Sequence, residues 1–252
     1  MEIKDFLPLP DMEGSRSMLC VQPHPDDNEV GAGATIAKLA ASGCKITYLT
    51  VTDGGMGTLD PGRDPAGLAA VRRGEVEKSA GLLGVSDTLY LGFKDGGYAD
   101  EKLLCREIVS IIRRVRPEMV MTVDPFLPYE AHPDHRRVGM AVAEACLFSQ
   151  FPGFGSGDGQ GEQPGPWAVK GIAFHSTAYP NTYINVDETW EKKIQAISLH
   201  ASQFPPQLLQ TLGSYFDVKA RAYAENRPFS RAEAFKALTT DCLHMNVDTI
   251  GL

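Results

Sequence analysis

Positive charge is scarce in this chain: 24 lysines and arginines face 32 aspartates and glutamates, giving a net charge of −8 and a pI near 5.3. That balance argues against a protein that tracks nucleic-acid phosphates or anionic lipid. No apolar run is long enough to cross a bilayer. The opening segment "MEIKDFLPLPDMEGSRS" lacks the basic region and apolar stretch of a secretory signal. There is no Cys-x-x-Cys pair, and the five cysteines (Cys20, Cys44, Cys105, Cys146, Cys242) are scattered in or beside apolar runs. Such a pattern fits buried free thiols in a reducing compartment. Neither an internal repeat nor a low-complexity linker divides the chain, so a single domain over residues 1–252, soluble and cytoplasmic, is expected.

What the chain does have is 43% hydrophobic residues, ample for a sizeable core, arranged as apolar runs alternating with helical patterns. "MLCVQ" reads as a buried strand, "EVGAGATIAKLAAS" as a helix stopped by Gly43, and "CKITYLTVT" as a second, β-branched strand. The loop "DGGMGTLDPGRDPAG" leads to the helix "LAAVRRGEVEKSAGLLG", and "TLYLGF" is a third strand. In "DEKLLCREIVSIIRRVRP", Leu104, Ile108, Ile111 and Val115 recur at helical spacing before Pro117; "MVMTVD" is a fourth strand, and "HRRVGMAVAEACLF" a helix. This order predicts an α/β fold, a Rossmann-like three-layer sandwich around a mostly parallel sheet. Residues 152–166, rich in glycine and proline, read as a flexible flap. Beyond it, "WAVKGIAFHS" and "TYINVD" fit further strands, and a helix is expected through "EKKIQAISLHASQF".

In such sheets ligands bind outside the carboxyl ends of the strands. "QPHPDD", "TDGGMGT", "KDGGYAD" and "DPFLPYEAHPDH" follow the four strands in turn, so four polar loops should share one rim. His24 and Asp27 stand three apart in one of them, and His132 and His135 recur in another. Two imidazoles and a carboxylate suit Zn²⁺ with an open position, and a bound water's pKa could fall from about 15.7 to roughly 7. Each motif leaves a spare residue, Asp26 and His132, for a base and an oxyanion partner. Either motif alone could be a solvated turn; together, at two strand ends, they point to a metal site.

Other residues admit two readings. "GAG" at Gly31 to Gly33, with Asp53 placed where a ribose-binding acid would sit, suggests a nucleotide-binding Rossmann-like domain. The third glycine position is Ile36, however, and the turn is filled with anions. The alternative is that Gly31 and Gly33 let the helix pack closely on the sheet. Arg72 could donate to a substrate or pair on an exposed helix face. Asp95 could contact substrate or cap a turn. Tyr129, Phe126 and Trp167 could flank a ligand or pack a lid, Tyr129 being nearest to His132. His175 and His200 read as structural. Lys192 and Lys193 read as a solvated helix face.

The segments "PHPDDNEVGAGATIAKLAASG", "VTDGG", "RRGEVEKSAGLLGV", "HPDHRRVG" and "VDETWEKKIQAISLHASQ" together resemble the LmbE/PIG-L family of zinc-dependent N-deacetylases, from about Leu19 to Phe235. "TDGGMGT" and "DPFLPYEAHPDHRRVG" resemble most its diacetylchitobiose deacetylases. The resemblance implies His24, Asp27 and His135 as metal ligands, Asp26 as general base, and His132, as imidazolium, facing the tetrahedral intermediate. It implies Arg72 and Asp95 at the substrate site, and His244 reaching the site of a neighbouring subunit in a homo-oligomer, a trimer or hexamer. It further implies a Zn²⁺ cofactor, with other divalent transition metals chemically possible. The substrate would be a small N-acetylated amino sugar: a chitobiose-type or other GlcNAc glycoside, a bacillithiol or mycothiol precursor, or an antibiotic glycoside. A non-catalytic metal- or sugar-binding module is the remaining alternative, and the Met56 loop is expected to help shape substrate choice.

Overall fold

The computed structural model describes residues 6–97, 100–154, 164–245 and 247. The chain runs β1 (Ser17–Gln22), α1 (Asp27–Ala41), β2 (Lys45–Thr52), α2 (Pro65–Leu83), β3 (Asp87–Phe93), α3 (Glu101–Val115), β4 (Met119–Val123) and α4 (Pro133–Phe148). It continues with β5 (Gly171–His175), β6 (Thr182–Asn185), α5 (Trp190–Ser198), α6 (Pro206–Ala224), β7 (Ala232–Leu238) and a 3-10 turn, Thr240–Leu243. Successive strand residues point to opposite faces. Met18 and Cys20 of β1 therefore join a core beneath α1, α2, α5 and α6, whereas Leu19 and Val21 join one beneath α3 and α4. The result is the three-layer sandwich expected.

The strands lie in the order β3-β2-β1-β4-β5-β7-β6. β1 to β5 pair in parallel, and β7 runs antiparallel to both β5 and β6. The order reverses between β1 and β4, where a ligand crevice opens beyond the strand ends in folds of this kind. "HPDD" leaves β1 and "HPDH" follows β4, so adjacent strands bring together residues 111 positions apart.

Local chemistry explains where helix limits differ from the sequence pattern. α2 begins at Pro65, ahead of Leu68, because Asp64 accepts the Ala66 and Gly67 N–H groups and proline suits the first helical position. It ends on Gly84 at φ 84°, a left-handed cap. The helix expected through Phe204 stops at Ser198; the chain then turns, and Pro206 opens α6, which the pattern had not marked. α6 buries little beyond Ala220 and Ala224, which explains its weak signature.

Arg113 donates to the carbonyls of Ser149, Phe151 and Phe154, anchoring the chain as it leaves α4. Residues 155–163 of the expected flap lie outside the described residues. Lys193 corrects the solvated-face reading: it is only 4% exposed and donates to Glu233 Oε1 at 2.6 Å. Glu233 in turn accepts the Thr35 N–H at 2.7 Å, tying α1, α5 and β7 together; Lys192 alone is exposed. A Cβ on Gly31 would overlap the His175 ring at the end of β5, as close packing on the sheet requires. Gly33 instead makes room for Lys193 of α5.

Candidate functional site

After β1 the chain turns sharply. Gln22 Oε1 accepts the Asn28 N–H, and the His24 N–H donates to Asp27 Oδ2 at 2.8 Å. Asp26 takes φ 151° and ψ −16°, a conformation that costs a non-glycine residue about 1–3 kcal/mol. Its carboxylate makes no cap hydrogen bond and instead accepts from Arg72 Nη2 at 3.1 Å. Arg72 is 3% exposed and also donates to the carbonyls of Gly54 and Pro25, so the exposed-helix reading of it is wrong. After β4, His132 caps α4: its Nδ1 accepts the Asp134 N–H, which leaves the ring proton on Nε2 as an outward donor.

The two turns meet at three donor groups, the two imidazoles facing different oxygens of Asp27. His24 Nδ1 lies 3.2 Å from His135 Nε2 and 3.3 Å from Asp27 Oδ2, and His135 Nε2 lies 3.4 Å from Asp27 Oδ1. A tetrahedral ion with bonds of about 2.0–2.1 Å needs its ligands roughly 3.3–3.4 Å apart, so the spacing fits. Each imidazole also has a carboxylate on its far nitrogen. His24 Nε2 faces Asp95 Oδ1 at 3.3 Å and Asp134 Oδ2 at 3.4 Å, and His135 Nδ1 faces Glu130 Oε2 at 2.9 Å. Such partners fix the tautomer and raise ligand basicity. The donor set therefore suits a divalent transition metal, with His24, Asp27 and His135 able to hold it.

The electrostatics agree. Before any metal binds, burial disfavours charge on His24, yet Asp134, Asp27 and Asp95 outweigh it and push the imidazole up to about 12. Burial likewise opposes charge on His135, but Asp27 and Glu130 raise it to about 9. The pocket thus selects for a cation. Burial and the Asp27 charge lift Asp26 to about 7 against the pull of Arg72. Burial, then His24 and His135, hold His132 below its ordinary value, and the Asp134 N–H on its Nδ1 leaves Nε2 as the outward donor.

His24, Asp26, Met56, Gly57, Arg72, Asp95, Gly96, His132 and Gln203 help line one open cleft of about 610 Å³. Asp95 faces His24 and accepts the Met56 N–H, so it reaches the cleft wall as a ligand's partner and a loop tether. Tyr129, 96% exposed, projects into solvent from the loop before α4 and does not join this wall. Phe126 packs on Phe174, and the Trp167 N–H donates to Pro117 O at the far end of β4. His244 follows the 3-10 turn Thr240–Leu243 after β7 and is not among the residues that line this cleft. Asp53 accepts from Gly55, Asp95 and Lys94, holding the loop rather than standing ready for a ribose. Burial drives His175 down to about 3, leaving it neutral and structural. His200 lies beside Ser79 Oγ, which donates to the buried Glu29.

Glu130 and Asp134 went unassigned in the sequence although both lie in "YEAHPDH". The signal was there: Asp134 repeats the His-Pro-Asp of residues 24–26. Gln203 was passed over inside "HASQ".

A family model described as PIG-L, GlcNAc-PI de-N-acetylase, matches residues 19–146. The chain is 36% identical over 230 residues to the diacetylchitobiose deacetylase of Thermococcus kodakarensis, covering 91% of this chain and 86% of that one. It is 29% identical to a probable N-acetyl-α-D-glucosaminyl L-malate deacetylase 2 of Bacillus anthracis, covering 86% and 96% of the two chains. Among solved structures, N,N′-diacetylchitobiose deacetylase of Pyrococcus horikoshii, complexed with its inhibitor, superposes with a TM-score of 0.88 at 34% identity, covering 97% and 91%. In sequence and in fold, this chain is a member of the PIG-L family.

Proposed function

We propose that this protein is a metal-dependent amidohydrolase that removes the N-acetyl group from an N-acetylglucosamine-containing sugar, of the chitobiose type or a small GlcNAc glycoside. The observation that carries the reading is the three-donor set at tetrahedral spacing, with the Asp26 carboxylate beside it and turned toward Arg72 instead of the metal position. Similarity to the Thermococcus diacetylchitobiose deacetylase supports the substrate class. Zinc is the proposed metal, since a His₂-carboxylate set with an open position is its usual catalytic environment.

When bound, the metal supplies Lewis-acid polarisation of the acyl oxygen and a more acidic water. Asp26 acts as general base: Arg72 fixes its orientation, and a pKa near 7 suits proton abstraction at neutral pH. His132 donates its Nε2–H toward the oxygen that gains charge, and the proton held by Asp26 leaves with the amine. Asp95, Asp134 and Glu130 hold the ligand rings in place. Arg72 and Asp95 border the substrate. No helix among the described residues is long and apolar enough to cross a membrane, and all five thiols are free and buried, which supports a reducing, cytoplasmic setting. A homo-oligomer is the assembly in which His244 could serve a site, because it does not line its own chain's cleft.

Acetate release from N-acetylglucosamine, its β-1,4 dimer and an N-acetylglucosaminyl L-malate, measured side by side on metal-loaded protein, tests the proposal. Release from the dimer, lost on chelation and restored by metal, is the expected result. Preference for the malate glycoside would move the substrate assignment, and no release from any of them would overturn the reading.

A further inference from the structure

Gln203, in the turn between α5 and α6, stands in the cleft wall with Met56, Gly57 and Arg72. Its Nε2 donates to Gly57 O at 3.0 Å and to Ser202 Oγ at 3.2 Å. Ser202 gives its own hydroxyl hydrogen to Glu75 Oε2 at 2.6 Å and its backbone N–H to Glu75 Oε1 at 2.8 Å. An amide has two N–H donors, and both are engaged. The flipped amide would set its oxygen against a carbonyl and a hydroxyl whose hydrogen is already given away, so the orientation is determined. Gln203 Oε1 is therefore the atom left over: it has no hydrogen-bond partner among the described residues, and it is not sealed from solvent.

Among the other polar groups of the wall, Arg72 and Asp95 are already engaged, and His132 offers a donor, not an acceptor. Arg72 is held by Asp26, Pro25 and Gly54, and the Asp95 oxygens face His24 and the Met56 N–H. A neutral, oriented acceptor beside the catalytic groups recognises a donor, and the donor abundant on a sugar ring is a hydroxyl. Glu75 lies one helical turn beyond Arg72, so one face of α2 orients both the Asp26 carboxylate and, through Ser202, the Gln203 amide.

We propose that Gln203 Oε1 accepts a hydrogen bond from a ring hydroxyl of the amino sugar, making Gln203 a specificity-determining residue. This rests on the amino-sugar reading above. The test compares wild type with Gln203→Met on the best N-acetylglucosamine substrate and its monodeoxy analogues, alongside calorimetric binding of glucosamine and the matching deoxyglucosamines to the metal-loaded proteins. Wild type should lose about tenfold on one analogue, mainly in KM, and the variant should treat that analogue and its parent alike. Ser202→Ala frees the amide to rotate and should reduce the same discrimination at the same hydroxyl; it serves where Gln203→Met is too unstable to assay. Equal discrimination by wild type and variant at every hydroxyl overturns the proposal. If wild type releases no acetate, the hydrolase reading falls, and the binding measurement decides Gln203 by the same criterion. Failure of wild type to bind any amino sugar overturns both.

Discussion

The tripeptide His-Pro-Asp occurs at residues 24–26 and again at 132–134, each time between a central strand and the helix that follows, yet the two copies do different work. After β1 the helix begins at Asp27 with Asp26 in the cap position; after β4 it begins at Pro133 with His132 in that position. This two-residue change of helix register reassigns every side chain. In the first copy the histidine points to the donor set and the aspartate is strained and uncapped. In the second the histidine is anchored through Nδ1 to its own helix, and the aspartate turns back to orient His24. Only the fourth residue keeps its place: Asp27 and His135 both reach the same point. A short motif therefore carries donor types, and the helix start decides their roles.

Substitution of the fourth residues should have the largest effect. Asp27→Ala or His135→Ala is expected to lose the metal, beyond the roughly 10–100-fold loss of affinity typical of removing an outer partner. Metal content by mass spectrometry checks this, and full occupancy in either variant would contradict the ligand set. The two aspartates of the repeated tripeptide should then separate. Asp26→Asn keeps its metal while turnover falls about 10²–10⁴-fold; Asp134→Asn instead loosens the metal by roughly 10–100-fold. Matching metal affinities and rates in the two variants would erase the distinction drawn above.

Glu130→Gln probes the second turn alone. Losing the charge behind His135 Nδ1 should weaken the metal by about tenfold, at the lower end of outer-partner effects, and competition with a chelator reads it. A contrast comes from the opposite rim. Glu118 accepts from the Arg16 backbone and guanidinium and from Lys170, which hold its carboxyl down at about 2. A depressed folded pKa contributes stability above the unfolded value of about 4.5 that is lost as pH falls toward 2. Glu118→Gln should therefore flatten the acid limb of a Tm-against-pH curve while metal binding and activity stay unchanged. An acid limb identical to wild type would remove that tether.

The strands were legible because buried parallel strands read as continuous apolar runs, and "MLCVQ", "CKITYLTVT" and "MVMTVD" are such runs. α6 and β7 were not, since their burial depends on neighbours remote in sequence. His24, Asp27 and His135 could be picked out as candidates because imidazoles and carboxylates are donor types whatever surrounds them. Arg72 could not be separated from a surface arginine, nor Lys193 from a solvated lysine, because burial of a long cation depends on a carboxylate elsewhere: Asp26 for one, Glu233 for the other.

The sequence by itself determined the alternation of strands and helices, the polar loops at their ends and the supply of imidazoles and carboxylates in two of them, because periodicity and side-chain chemistry are local properties. Only the tertiary structure decided which imidazole nitrogens meet at the donor set, that His132 is anchored through Nδ1, that Glu130 and Asp134 stand behind His135 and His24 and that Gln203 offers an oxygen. Those depend on distances of about 3 Å between atoms far apart along the chain, which the reversal of strand order between β1 and β4 and the register of two helix starts bring together.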